Sequence, residues 1–379
     1  MRKQTFTITK QLAVCATVLL ISSCGGADYS VEQNVLIPVA TRETYIYVNN
    51  RGEAITPEVN VLETSAFYGD YAVVGKEKKG FLDKSGKLII PMQYVQATIF
   101  NEGLAFVKET DDSPVIAINT KGEEVFRLSD VNNARRFSEG LAAYKENGLW
   151  GFVDKKGKVV IKPQYEKVGD FSCGLATAGS TKNVYGFINT KGEMVIEPQF
   201  NDWNSLSLVK FRSDKYCVVH AGDMSNDQFG VINTKGEFVI PLMKCFRMEA
   251  DKGGFVVHYW EKELNNTRAV YMDIKGKTLL DGFVKLYPFN GGKYTVAMPS
   301  DSKEFVIIDR DGKTVAELGF QPVGFITSFI DGMAVAQNDG YARAIINEKG
   351  EKIIDEERVY VADDYNPRSE QIYFKLNGY

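Results

Sequence analysis

The sequence predicts an all-β repeat protein of three-stranded antiparallel meanders, one per period, closed into a propeller-like ring of about eight or nine small blades, with an open β-superhelix as the alternative. Three observations predict it. A turn of the NTKGE or DKKGK kind recurs at Gly52, Gly86, Gly122, Gly157, Gly192, Gly236, Gly276, Gly312 and Gly350, at spacings of 34, 36, 35, 35, 44, 40, 36 and 38 residues. A second signature lies upstream of the turn, in FNEGLAFV at Phe100, FSEGLAAY at Phe137, FSCGLATA at Phe171 and FIDGMAVA at Phe329. The composition agrees: 12% aromatic residues and 34 Gly suit strands and turns, and 44% hydrophobic residues can fill a core.

Residues 149–165, LWGFVDKKGKVVIKPQY, form the clearest unit. Two apolar-rich runs flank residues 154–157, the composition of a hairpin whose type I turn ends in a left-handed residue. Gly157 takes that place because it has no Cβ to clash at positive φ, and Asp154 can bond to backbone ahead of it. Trp150 and Phe152 are expected to share a face, as are Val159 and Ile161. Pro163, having no N–H to give, is expected to end the pairing. The upstream FSEGLAAY run supplies a third strand, with Leu141 and Ala143 facing one way and Ala142 and Tyr144 the other. A loop of about ten residues should then lead to the next unit.

The order of an aromatic, Gly-Leu-Ala, Trp-Gly-Phe, Asp-Lys-Lys-Gly-Lys, an apolar run and Pro resembles the WG-repeat family of bacterial proteins. Only Trp150 with Gly151 keeps the name-giving pair; Lys79 with Gly80, Tyr185 with Gly186 and Phe229 with Gly230 fill the slot elsewhere. The resemblance covers about residues 45–354, is strong in the first five units and weakens after Gly236. It implies an all-β repeat assembly, often exported, generally without an assigned reaction.

Residues 1–23 read as a signal peptide, 24–40 as a lipid-anchored tether and 41–379 as the repeat domain. Arg2, Lys3 and Lys10 give a basic start, and the apolar run at 12–21 is too short to span a bilayer as a helix. Small residues then precede Cys24, and this resembles the lipobox of bacterial lipoproteins, in which Cys24 becomes the lipid-modified N-terminus. An ordinary secretory peptide is the other reading. The expected location is the bacterial cell envelope, membrane-anchored by acyl chains on Cys24. Gly25 after that Cys fits transfer to the outer membrane, and the lack of an acidic cluster there argues against surface export.

Two spacings break the period, one across residues 201–228 and one across 243–267, so extra residues must form longer loops or longer strands. Residues 358–365 and 371–376 read as closing strands. Without residues 1–23 the chain carries 42 Lys and Arg against 49 Asp and Glu, a net charge of −7. A mildly acidic, evenly mixed surface does not favour nucleic acid as a partner.

Nothing in the sequence singles out catalysis. Cys173, Cys217 and Cys245 remain after Cys15 and Cys24 are set aside; Cys217 and Cys245 pair in a disulfide on one reading, and all three are free and buried on the other. Thiolates and histidines at zinc spacing are lacking, and no cofactor is expected. His220 and His258 end apolar runs and read as partly buried side chains satisfied by backbone. Asp309 and Asp311 hint at a calcium loop, but the residue eleven after Asp309 is Phe320 and sister turns hold NTKG and DKKG, so this is the hairpin turn.

The residues the repeat does not require are the informative ones. Trp203, Tyr259 and Trp260 lie in the two lengthened units beside His220 and His258, where aromatics on loops stack on sugars or anchor a protein, or else replace the missing Trp-Gly in the core. The expected function is a non-catalytic, membrane-anchored repeat surface for a protein or glycan partner. A polysaccharide-acting enzyme on the same scaffold, needing polar residues from several units to converge, and a purely architectural envelope protein are the alternatives.

Overall fold

The computed structural model describes residues 36–354 apart from 41–44, 58–59, 62, 66, 68, 180–183, 202–208, 223–226, 263–265, 319–321, 323–325, 330 and 338–342. The described residues hold strands and turns and no helix. Within each sheet of the described residues the strands pair antiparallel in sequence order, so the chain is a succession of meanders. The unit read from the sequence is present as Leu141–Glu146, Leu149–Asp154 and Val159–Tyr165, and a fourth strand, Val131–Ser138, precedes it. In sister units this added strand is as short as Gln96–Ala97 or Lys167–Val168, two residues with no periodicity to read.

The stretch of about ten residues expected between units has nearly that length at residues 95–103 and 166–174, but each opens with the short added strand. Val159–Tyr165 leads into Lys167–Val168 across Glu166 alone, and Leu88–Tyr94 leads into Gln96–Ala97 across Val95. In Thr278–Leu286 even that break is lost: one nine-residue strand serves two units, and the strands from Arg247–Asp251 to Thr314–Glu317 form one seven-stranded sheet. Strand pairing already begins at Ile37–Ala40, which pairs with Tyr45–Val48.

Both faces of a unit are buried, each against a different neighbour. Leu141 and Ala143 pack with Phe152, Ile161 and Phe171 of the next corner, whereas Ala142 and Tyr144 pack with Phe106 and Phe137 on the other side. The alternation read from the sequence is therefore real, but both of its faces are core. Among the described residues eight such clusters link the nine units in order. Burying one corner Phe contributes about 2 kcal/mol, and no unit can do it alone.

The nine turns share one set of bonds. Their glycines have φ between 73° and 82°. At residues 189–193, Asn189 Oδ1 accepts from the N–H groups of Lys191 (2.9 Å) and Glu193 (3.0 Å), and Asn189 Nδ2 donates to Glu193 Oε2 at 2.8 Å. Where the turn opens on Asn, the residue four on is Glu; where it opens on Asp, as at Asp154 with Lys158, that residue is Lys. The reason is electrostatic: an amide donates to the carboxylate, whereas an aspartate there would repel it. Asn189→Asp is expected to lower stability by about 0.5–1 kcal/mol, and adding Glu193→Lys should restore most of it. A double-mutant cycle in urea checks this, and additive losses would remove the pairing rule.

The glycine of the turn also touches the preceding unit. A Cβ on Gly157 would lie 2.6 Å from the Phe126 ring, so the hairpin tip is seated on its neighbour rather than standing in solvent.

Pro163 does not end pairing. Val159–Tyr165 runs through it, and the register slips, with Trp150 opposite Tyr165 but Phe152 opposite Ile161. The bulge accommodates the missing N–H. It crosses closely over Gly151, whose Cβ would stand 2.5 Å from Ile161 O and 2.7 Å from Pro163 N. The Gly of the Trp-Gly slot and the Pro of the third strand are thus two halves of one crossing. A second slip, between Phe152 and Val153, puts Val159 outside while Ile161 is buried, so the two do not share a face.

Candidate functional site

Of the residues singled out in the sequence, Cys24 and Trp203 lie outside the described residues. The extra residues of the 243–267 stretch form longer strands, Gly254–Glu261 and Asn266–Asp273, paired without a slip. That regular pleat separates the aromatic pair. Tyr259 turns to the side of Phe255 and Val257, packs in the core shared with Cys245 and Met248, and donates through its hydroxyl to Met243 Sδ at 3.5 Å. Trp260 shares the opposite side with His258 and is 56% exposed. Trp260, Tyr259 and His258 therefore do not form one aromatic cluster.

His258 is buried, as the sequence suggested. Burial, with the Arg247 and Lys285 cations, lowers its pKa to about 4, against a weaker upward pull from the Leu286 backbone, so the imidazole is neutral near pH 7. Its ring lies 5.9 Å from that of Phe246. His220 bonds to Asp227 Oδ1 through Nε2 at 3.0 Å and packs on Phe229. Cys173, Cys217 and Cys245 are free thiols; Cys217 and Cys245 sit in two successive cores, and burial pushes the Cys245 thiol up to about 12, which leaves it unreactive. Asp309 Oδ1 accepts from Asp311 N (3.0 Å) and Lys313 N (2.9 Å), the common turn pattern.

Two places stand out from the repeat. The first is apolar. Phe238, Leu242 and Phe246 are exposed along and just beyond Phe238–Lys244, the last strand of a three-stranded sheet, and Trp260 is exposed in the adjoining unit. The strands Val159–Tyr165 and Met194–Asn201 put Lys162 or Glu197 between the buried Ile and the Pro; here, as at Ile90 and Pro91, Ile240 leads directly to Pro241, and then to Leu242. Charges on an edge strand discourage pairing with foreign chains, and here the single charge is Lys244 at the strand's end.

The second is polar. The corners that carry the aromatic residues are joined by side-chain bonds: Asn101 Nδ2 donates to Phe137 O (2.6 Å), Ser138 Oγ to Phe171 O (2.7 Å) and Ser172 Oγ to Phe211 O (2.5 Å). This ladder aligns successive corners, so the residues just before each Phe come together: Arg136, Asp170 and Lys210. Arg135 Nη2 reaches Asp170 Oδ1 at 3.0 Å, Arg136 Nε reaches Oδ2 at 3.2 Å, and Arg135 Nη1 donates to Val168 O at 2.7 Å. Burial would raise the Asp170 carboxyl, but Arg135, Arg136 and Lys210 outweigh it and hold the group below the ordinary 3.8. Sequence reading missed this cluster. Stacking the units on their corner Phe, rather than on their turn Gly, would have placed the three side by side.

Comparison with known proteins adds the repeat type. No curated protein matches the chain. Among solved structures it is similar to BamB from Moraxella catarrhalis (12% identity, 75% of this chain and 98% of that one, TM-score 0.42) and to the C-terminal WD40 domain of Sif2 (10%, 73% and 92%, TM-score 0.43). It is also similar to Hsv2 from Kluyvelomyces marxianus (14%, 62% and 93%, TM-score 0.38). Scores this low carry no functional meaning. Residues 80–111, 117–150, 150–178, 185–205 and 229–243 match the model of the WG containing repeat, so repeats of that type are present at five places in the chain.

Proposed function

We propose that this chain is a non-catalytic, lipid-anchored lipoprotein of the bacterial cell envelope, on the outer membrane, whose WG-type repeats form a rigid surface for a protein partner. The observation that carries the binding reading is the exposed set Phe238, Leu242, Phe246 and Trp260, with Trp260 at 56% and Phe246 at 44%. Large apolar residues left in water are characteristic of contact surfaces, and aromatic residues contribute most to them. The anchoring rests on the basic start, the short apolar run and Cys24. The non-catalytic part is supported by how acids are used: carboxylates such as Asp154 and Asp309 accept backbone N–H groups inside turns. Closure of the units into a ring belongs to the same proposal, since it would cover the two end faces.

The test is site-specific photo-crosslinking in the native membrane, with the probe at Phe246 and, as control, at Lys313. A discrete adduct from 246 alone, lost in Trp260→Ala, is expected; loss of one central Trp weakens a contact by about thirtyfold. Identical adducts from both positions, or none from 246, would reject the surface. Detergent partitioning of Cys24→Ser tests the anchor separately, with the variant expected in the aqueous phase.

A further inference from the structure

We propose that the protein partner is held by strand addition: an extended segment of it pairs with the open backbone edge of residues 259–261 and lays apolar side chains over Phe246 and Trp260. This rests on the contact surface proposed above and names how that surface is engaged. In sister units the first strand covers the second to its last residue, Gln96 standing opposite Lys108, Val131 opposite Glu146 and Lys167 opposite Gly179. In the lengthened unit the cover stops early. Arg247–Asp251 begins opposite His258, while Gly254–Glu261 runs on with Asn266–Asp273 as far as Glu261 opposite Asn266. Residues 259–261 therefore project past their neighbour, and among the described residues no strand lies along that part of the edge.

Two hydrogen bonds fix which groups face outward. The Phe246 N–H donates to His258 O at 3.1 Å, so the His258 backbone is turned to the side of the short strand. Alternation along an antiparallel ladder then turns the Trp260 N–H and C=O to that same side, where no described strand meets them. The other flank agrees: Thr267, opposite Trp260, gives its N–H to Asn266 Oδ1 at 2.8 Å, as it can where the facing pair shares no ladder bond. Open N–H and C=O groups on an edge are a template for a strand of another chain. Phe246 and Trp260, both exposed, give that strand an apolar bed. Exposed lysines stand two residues from each, Lys244 before Phe246 and Lys262 after Trp260, whereas Glu261 is half-buried and Glu249 is bonded to Arg247. Opposite charges across paired strands are stabilising, so the segment that fits is apolar along its length with acidic ends.

The experiment is amide hydrogen exchange of the full chain at Trp260, with a synthetic peptide that alternates valine and threonine between aspartate ends as the probe. The Trp260 amide is expected to exchange freely in the chain alone. It should slow about tenfold at about ten times the half-saturating peptide concentration, and the same peptide methylated on its backbone nitrogens should leave it unchanged. Trp260→Leu keeps the N–H and Trp260→Pro removes it. The proline variant should fold about as stably as the leucine one, since proline is tolerated where an edge N–H faces outward, yet bind the peptide about fivefold more weakly. Should the proline variant fail to fold, exchange in the unmodified chain decides. Strand addition is overturned by no slowing with the unmethylated peptide, by equal slowing with both, or by a Trp260 amide already protected in the chain alone. Protection that grows with protein concentration, without peptide, would assign the edge to a second copy and overturn it too. The photo-crosslink at Phe246 separates the two readings: an adduct there with strand addition overturned keeps the contact surface, and no adduct rejects the surface and this proposal with it.

Discussion

Gly186→Ala is expected to lower stability by about 3 kcal/mol, more than any turn glycine without a close neighbour. Its backbone is not left-handed, so the cost is one of space. A Cβ there would lie 2.1 Å from Ile196 O and 2.8 Å from Pro198 N, atoms of the bulged third strand. A side chain can rotate away; a paired backbone cannot. Gly103 gives the contrast, with φ at +85° and nothing within 4 Å of its Cβ, so alanine there meets only the left-handed penalty of about 1–2 kcal/mol. Urea unfolding of the two variants measures the difference, and hydrogen exchange across residues 175–201 locates it. In an array held by nearest-neighbour contacts the loss should concentrate in that unit and its neighbours. A Gly186→Ala variant no weaker than Gly103→Ala would sink the crossing argument, and with it the reason given for the glycine of the Trp-Gly slot.

What the sequence revealed and what it hid divide along a physical line. Asp154 and Gly157 were legible because a turn is local: its bonds lie within five residues, and each copy confirms the others. Strand alternation was legible too, since Leu141 and Tyr144 do face opposite ways. Pro163 misled because a missing N–H ends a regular ladder but not a bulged one, and a bulge depends on the partner strand. The same slip turned Val159 out while Ile161 stayed in. The short strands such as Lys167–Val168 were invisible, being too brief to carry a period.

At the candidate sites the limit was again distance along the chain. Tyr259 and Trp260 looked like a pair because they are adjacent, yet a strand sends adjacent side chains to opposite faces; reading them as strand residues instead of loop residues would have separated them. Trp260 kept its exposure and Tyr259 went into the core. Arg136, Asp170 and Lys210 lie 34 and 40 residues apart, and only the corner ladder brings them together. The wider spacing before Lys210 conceals the correspondence when units are aligned on their turns.

Asp170→Asn is expected to cost about 3 kcal/mol near neutral pH, because it removes the carboxylate paired with Arg135 and Arg136 and leaves Arg135 buried against an amide. The effect should sit near the low end for a broken buried pair, since Arg136 is partly solvated and screened. The pH dependence follows from the direction of the shift. The folded-state carboxyl is held below its ordinary 3.8, so its contribution is complete above that value and is lost as pH falls through the lower, folded one. The gap between wild type and Asp170→Asn in urea midpoint should therefore be constant from pH 7 to about pH 5 and shrink below pH 4. Asp83→Asn is the control: its carboxyl is also held low, chiefly by the Ser85 hydroxyl, but it is exposed, and an amide oxygen can still accept from Ser85 and Lys87. A smaller change, fading over the same acid range, is expected there. If the two variants lost the same stability, the buried charge gathered at the corners would have no energetic weight, and a cluster without weight could not brace the units.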